Sequence, residues 1–333
     1  MEPLRIGVLG AARISDRAIV VPAQLTGHRL VAVAARNRDR AEQFAADSGV
    51  ERVLDSYQAV IDDPEVEAIY NPLPNGLHGP WNLRAIAAGK HVLSEKPSAS
   101  NAEEARLVRD AVAASDAKFM EAFHYRYHPL MGRILDLATS GDLGELQDIE
   151  IHMSFPLRSN EDPRVNFDLA GGAMMDVGCY AIHALRTLAV VGGGEPSVVS
   201  ASSTAHSGHA SIDETTEAEL VYPSGLPARF ITSFTVPEVD FTMRITGSRG
   251  EVFAHNYCVP SLDDRIEVTA DGRSWTEELG TRSSYTYQLE SFADHVRNGA
   301  PIFTDANDAL VQAELIDAVY RAAGLPPRPT TRI

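Results

Sequence analysis

Cysteine is nearly absent: the chain has two among its 333 residues, Cys179 and Cys258. Two thiols cannot staple a chain of this length, and neither sits in a CxxC or a zinc spacing. A disulfide-built secreted scaffold and a cysteine zinc centre are therefore excluded, and a reduced, cytoplasmic protein is expected. Long apolar runs are missing too. None approaches the roughly 18 residues needed to cross a bilayer. The opening MEPLRIGVLG has no basic segment followed by an apolar one, so it does not read as a signal peptide. Cationic residues are scarce, 29 Lys and Arg against 46 Asp and Glu, for a net charge of −17. That balance argues against nucleic acid or an anionic membrane as partner, since both need a cationic face. A small phosphorylated ligand needs only a local positive site and stays open. Low-complexity segments and internal repeats are also lacking. What remains, 44% hydrophobic and 23% charged residues, is the composition of a globular chain, long enough for two domains.

Two textures divide the sequence. Over the first 120 or so residues, short apolar runs (4–9, 30–34, 68–70, 91–94 and 119–121) alternate with helix-forming stretches at 39–47, 78–88 and 102–114. That alternation predicts βαβ units and a parallel sheet. Asn101 with Glu104 resembles a capping box. Beyond residue 122, helical spacing at 130–140 and 176–190 gives way to many strand-like runs, at 148–154, 198–203, 217–221, 228–235, 241–246, 250–254 and 266–270. They predict a large, mostly antiparallel open sheet. Helices follow at 287–298 and 305–323, then an extended tail from Leu325. The fold class is α/β: a Rossmann-like dinucleotide domain over 1–122 and an α+β domain over 123–333, whose last helix is free to pack back on the first. The far face of the second sheet must be covered or unusually polar, which points to a homo-dimer or homo-tetramer built through it.

Four motifs carry chemistry. Gly7-Val8-Leu9-Gly10-Ala11-Ala12 ends the first strand and opens the first helix, where a pyrophosphate needs a tight turn and close backbone approach. Its GxxGxA spacing departs from GxGxxG, and a glycine pair at a strand end is often only a turn; the position inside a βαβ unit favours the binding reading. After the second strand, where an acid would hold the ribose of NAD, stand Arg36 and Arg38, with Arg40 beyond. Arginine there suits a 2′-phosphate, so NADP is favoured, with NAD still possible and with exposed helix-start arginines as the alternative. Pro72-Leu73-Pro74-Asn75-Gly76-Leu77-His78 forms a rigid loop after the third strand. In it Asn75 is a ligand contact or a helix cap, and His78 a contact or an ordinary first-turn residue. Glu95-Lys96-Pro97 follows the fourth strand; its residues face a cleft or form a surface salt bridge. Finally, Gly171-Gly172 leads into a helix with Asp176, Tyr180 and His183 at i, i+4 and i+7. Three titratable types on one face tilt towards a site. Tyrosine is a poor zinc ligand and a fourth ligand is missing, so no metal is expected.

These motifs together, GxxGxA, PNxxH, EKP and GGxxxDxGxY, resemble the Gfo/Idh/MocA family of nicotinamide-dependent oxidoreductases, over nearly the whole chain. The tyrosine at 180 places the likeness closest to the dihydrodiol, xylose and glucose–fructose branch; inositol-dehydrogenase-like members carry His there. The resemblance implies a Rossmann domain, an oligomer built through the open sheet, and NADP or NAD with its nicotinamide near Lys96. It makes Lys96 and Tyr180 the proton-handling pair, and Arg126, Glu121, Arg13 and the adjoining Ile14 cofactor candidates. A phenol of pKa near 10 is a poor base at neutral pH, so the lysine cation is chemically required. Asp176 and His183 would hold other substrate hydroxyls or orient Tyr180. A sugar, polyol or cyclic diol is the implied substrate. Two alternatives stand beside it: a non-catalytic NADP-binding regulator, disfavoured because Lys96 and Tyr180 are both present, and a nucleotide-linked keto-sugar reductase, ranked lower because the second half shows no obvious basic cluster for a diphosphate, with Arg158 and Arg164 as possible contacts.

Overall fold

A computed structural model describes residues 2–159 and 161–333. By compactness the chain forms two units. The first comprises residues 1–123, 285–313 and 330–333; the second comprises 124–284 and 314–329.

The first unit holds a five-stranded parallel sheet in the order β2-β1-β3-β4-β5. Its strands are β1 (Arg5–Leu9), β2 (Arg29–Ala34), β3 (Ala68–Asn71), β4 (His91–Ser94) and β5 (Phe119–Glu121). They are buried nearly throughout, as strands covered on both faces are. Between β1 and β2 a π-helical turn (Asp16–Val20) runs into α1 (Val21–Thr26). Then come α2 (Arg38–Ser48), α3 (Tyr57–Asp62), α4 (His78–Ala87) and α5 (Ala102–Ala113). Short polar side chains start three of them: Asn37, Ser56 and Asn101 accept N–H bonds from Arg40, Ala59 and Glu104. Asn101 caps α5 as expected, and the Glu104 carboxylate reaches back to the N–H of Ser100 at 2.6 Å. α3 went unpredicted; six residues, YQAVID, are too few to show a helical period.

The second unit carries α6 (Pro129–Ser140), β6 (Leu146–Ser154), α7 (Cys179–Thr187), α8 (Ala189–Gly192), β7 (Ser197–His206), β8 (His209–Val221), β9 (Pro227–Ser233), β10 (Met243–Gly247), β11 (Gly250–Ala254), β12 (Arg265–Ala270) and β13 (Arg273–Glu278). Its eight-stranded sheet runs β13-β12-β11-β10-β6-β9-β8-β7 and is antiparallel except for the β6–β9 pair. One face, with Ile149, Ile151, Phe230, Ile245, Val252 and Val268, is buried. The other carries cross-strand ion pairs, Arg229 with Asp148 and Glu150, Arg244 with Glu251, and His255 with Glu267. Of the two alternatives for that face, covered or polar, polar is what the strands display. β13 was missed because RSWTEE lacks an apolar alternation. The single helix expected over 176–190 is instead a π-helical turn (Met174–Gly178) continued by α7 and α8.

The sequence boundary placed 123–333 in the second domain, with its last helix free to pack back on the first; by compactness the segments 285–313 and 330–333 go with the first unit. α9 (Ser284–Asn298) and the first half of α10 (Ala306–Ala322) lie with the first unit. Leu310 and Ala313 pack on Ala99 and Ala105. Thr304 and Glu121 exchange bonds, the Glu121 N–H donating to the Thr304 carbonyl at 2.8 Å and the Thr304 hydroxyl to the Glu121 carbonyl at 2.7 Å. Among the described residues no helix is long and apolar enough to cross a membrane, and no cluster of three or more His, Cys, Asp or Glu residues has a metal-binding arrangement. Cys179 and Cys258 are buried free thiols.

Candidate functional site

In the first unit the turn after β1 is built around Gly10. Its φ of +97° is a conformation that side-chain-bearing residues avoid, and a Cβ there would press on Leu73 at 3.2 Å. The Gly10 N–H donates to the Ala34 carbonyl at 2.7 Å, tying the turn to β2. Gly7 lies inside β1, where a Cβ would meet Val60 at 2.6 Å, so it serves the packing of α3 on the sheet. Ala11, Ala12 and Ile14 are partly exposed and Arg13 exposed. The Arg40 guanidinium donates to the Ala11 carbonyl at 2.9 Å.

The three arginines after β2 separate clearly. Arg38 pairs with Glu42 and Asp55, and Arg40 is spent on Ala11. Arg36 is exposed, and among the described residues its guanidinium has no ion pair or side-chain hydrogen bond. The Tyr57 hydroxyl engages the Arg36 backbone; burial pushes that hydroxyl's pKa up and the nearby guanidinium opposes the shift. Tyr57 is held edge-on by Trp81 at 5.2 Å between ring centroids.

Pro72 and Leu73 are buried. Asn75 opens a 3₁₀ turn (Asn75–Leu77) and is not the cap of α4, a position held by Leu77. His78 is buried, with Nδ1 2.7 Å from the Pro97 carbonyl; burial drives its pKa down to about 4, so it is neutral at pH 7. It thus pins the third-strand loop to the EKP turn. Behind both loops Asn82 donates to the Ser94 hydroxyl and the Ser98 carbonyl, while Asn71 donates to Asn82. Glu121 accepts the Ser98 N–H at 2.6 Å. Glu95 is no surface salt-bridge residue: it is 8% exposed and accepts the Tyr70 hydroxyl at 2.9 Å, with burial raising its pKa against the opposing pull of Lys96. Lys96 is half-buried and joined to Pro97 by a cis bond.

In the second unit Asp176 stands on the π-helical turn, and its carboxylate takes the Arg164 Nε at 2.7 Å. Arg164 also meets Asp162 at 3.2 Å and stacks over Phe155. The field of Asp176 raises the guanidinium's pKa further. Tyr180 is 6% exposed, with the rings of His124 and Tyr125 at 5.8 and 6.1 Å. His183 is 2% exposed and lies 2.6 Å from the Tyr125 hydroxyl. So Tyr180 and His183 share a neighbour in Tyr125, while Asp176 faces Arg164. Arg126 is half-buried on the 3₁₀ turn His124–Tyr127. Sequence reasoning passed over His124 and Tyr125, although both stand in the HYRYHP string from which Arg126 was taken.

Residues 4–123 match the family described as "Oxidoreductase family, NAD-binding Rossmann fold" (GFO_IDH_MocA), and residues 132–253 match the GFO/IDH/MocA C-terminal domain. A D-xylose 1-dehydrogenase (NADP(+)) of Haloferax volcanii is 34% identical, covering 96% of this chain and 97% of its own. The trans-1,2-dihydrobenzene-1,2-diol dehydrogenase of Mus musculus is 31% identical, covering 97% of each. Among solved structures, KijD10, a 3-ketoreductase from Actinomadura kijaniata in complex with NADP and TDP-benzene, superposes with a TM-score of 0.89 at 26% identity, over 96% of this chain and 98% of that one.

Proposed function

Because this chain belongs to the GFO/IDH/MocA oxidoreductase family, we propose that it is an NADP-dependent dehydrogenase or reductase acting on a CH–OH group of a sugar, polyol or cyclic diol. The observation that carries the cofactor choice is Arg36, an exposed guanidinium without an internal partner at the end of β2, beside two arginines that are both committed. A doubly charged 2′-phosphate fits that position and the ribose hydroxyl of NAD gains less from it. The Gly10 turn, with Ala11 to Ile14 after it, would take the pyrophosphate. The loops bearing Pro72, Leu73, Asn75, Glu95 and Pro97, with His78 and Glu121 bracing them, would hold the nicotinamide end, with Arg126 a further candidate for it.

The nicotinamide, when bound, supplies or accepts the hydride. The rest falls to side chains. Lys96 would lower the Tyr180 phenol's pKa, and Tyr180 would take the substrate hydroxyl proton during oxidation and return it during reduction. The Asp176–Arg164 pair offers a carboxylate and a guanidinium to neighbouring hydroxyls. A TDP-linked keto-sugar substrate, the second reading, draws on the likeness to KijD10 and the dTDP-keto-sugar 3-reductases. Its two basic candidates are Arg158 and Arg164, of which Arg164 shares its charge with Asp162 and Asp176. The two buried free thiols support a reading of cytoplasmic residence. Assembly through the open sheet is part of the proposal and would rest on its ion pairs rather than on apolar area.

The test is a fluorescence titration with NADPH and NADH, then turnover of D-xylose, D-glucose, trans-cyclohexane-1,2-diol and a TDP-sugar. Arg36→Ala is expected to weaken NADPH about 10- to 100-fold, the worth of one charge-assisted bond, and NADH about threefold or less. Lys96→Ala and Tyr180→Phe should bind NADPH normally and lose at least about 100-fold in kcat. Equal effects of Arg36→Ala on both cofactors would remove the 2′-phosphate argument.

A further inference from the structure

The Tyr180 ring does not stand alone on α7. The 3₁₀ turn His124–Tyr127, reached from β5 through buried Ala122 and Phe123, sets one ring beside it from each of two consecutive residues. His124 meets it edge-on at 5.8 Å with 68° between planes; Tyr125 meets it at 6.1 Å and 58°. Each of these rings is itself tethered. His124 Nδ1 is 2.8 Å from the Ser284 hydroxyl. The Tyr125 hydroxyl is 2.6 Å from His183 Nδ1 and 3.4 Å from the Thr187 hydroxyl, both on α7. On its other side Tyr125 is wedged against Tyr257 at 5.4 Å, planes crossed at 88°. His183 follows Tyr180 by three residues on the same helix, so the Tyr125–His183 bond fixes α7 against the turn that carries both flanking rings. Tyr125 is fully buried, and His124 and His183 nearly so, leaving them little room to bind a substrate hydroxyl.

We infer that His124 and Tyr125, tethered by Ser284 and His183, are positioning residues that lock the Tyr180 phenol in the attitude proton transfer requires. The inference rests on Tyr180 being the proton-handling group. It reassigns His183 from holding substrate to holding Tyr125. A phenol whose ring is confined by two crossed rings holds its oxygen in one place, and general acid–base transfer depends steeply on that placement: a displacement of about 1 Å can cost on the order of 100-fold. Neither flanking ring exchanges a proton; both act through Tyr180.

Three variants test this against wild type and Tyr180→Phe, with whichever of the sugars and diols named above wild type oxidises. Tyr125→Phe keeps the ring and loses the tether. Ser284→Ala releases His124 without touching Tyr180. His183→Asn leaves an amide near the position of Nδ1. Tyr125→Phe should lower kcat about tenfold and Ser284→Ala about threefold, with KM and NADPH affinity held within about twofold, and the D2O effect on kcat should grow as proton transfer limits turnover. His183→Asn should recover most of wild-type kcat, and the Tyr125→Phe/His183→Asn double variant should be no worse than Tyr125→Phe alone. If Tyr180→Phe is inactive while Tyr125→Phe and Ser284→Ala keep kcat within twofold, or if they raise KM instead, the positioning inference falls and the functional reading stands. If Tyr180→Phe stays active, or wild type oxidises none of the substrates, both fall together. Should Tyr125→Phe fail to fold, Ser284→Ala and the D2O effect decide by the same criteria.

Discussion

His78 shows how a residue that pins one loop to another ties stability to acidity. Its imidazole is buried against the Pro97 carbonyl and its pKa falls from 6.5 to about 4. Between those values the unfolded chain takes up a proton that the folded chain refuses. The stability held by the neutral ring is therefore whole above pH 6.5 and is lost as pH falls towards 4, with a limiting slope of about 1.4 kcal/mol per pH unit. His78→Gln should flatten this slope in urea midpoints measured from pH 7 to pH 4.5; an unchanged slope would mean the acid sensitivity lies elsewhere. His28, His91 and His128, lowered by burial too, retain their own contributions in both proteins. At this scale the motifs single out side chains but not what those side chains face. Nothing in PNxxH announces that His78 closes on Pro97, or in EKP that Glu95 turns inward to Tyr70, because those partners come from other segments that the fold alone brings near.

At the scale of elements, the approach to α7 depends on a pair the sequence pattern conceals. Asp213 on β8 accepts the Met174 N–H at 2.6 Å and the Tyr320 hydroxyl at 3.0 Å, and forms a fully buried ion pair with Arg328. Arg328 also donates to the Gly171 carbonyl at 2.6 Å. Gly172, with φ of +132°, passes so close that any Cβ would collide with the Asp213 carboxylate. Arg328 comes from the segment read as an extended tail, 115 residues from Asp213, a separation that no local period can register. Arg328→Met should cost about 3–5 kcal/mol in denaturant unfolding, since it strands a buried carboxylate, whereas Arg328→Met with Asp213→Asn should recover part of it. Equal losses in the single and double variants would show that the stranded charge is not the cause. The parallel sheet and the antiparallel one were both legible in strand texture. The π-helical turn was not: Met174–Gly178 has the same apolar spacing a plain helix would show, and its offset lies in backbone hydrogen bonds.

For the whole molecule, a net charge of −17 and a sheet face laced with cross-strand ion pairs would set the terms of the proposed assembly through the open sheet. Copies meeting on that face would exchange polar contacts that screening weakens, so light scattering should show dissociation between about 0.05 and 1 M NaCl. Persistence of the oligomer in high salt would point to another face. That polar surface was one of two alternatives open from sequence, because strand alternation tells which residues share a face and not what covers it.

The order in which the chain leaves the ribosome gives the Glu121–Thr304 clasp a further meaning. β5 is an edge strand, and the group that occupies its Glu121 N–H arrives 183 residues later. At roughly 5–20 residues per second, the nascent sheet waits about 9–37 s with that edge open. Leu310 and Ala313, which cover Ala99 and Ala105, arrive later still. Through that interval the newborn first unit presents an unpaired strand and uncovered apolar surface, the features by which incomplete chains stick to one another. The exposure of that edge during synthesis is thus set by the late position of one threonine.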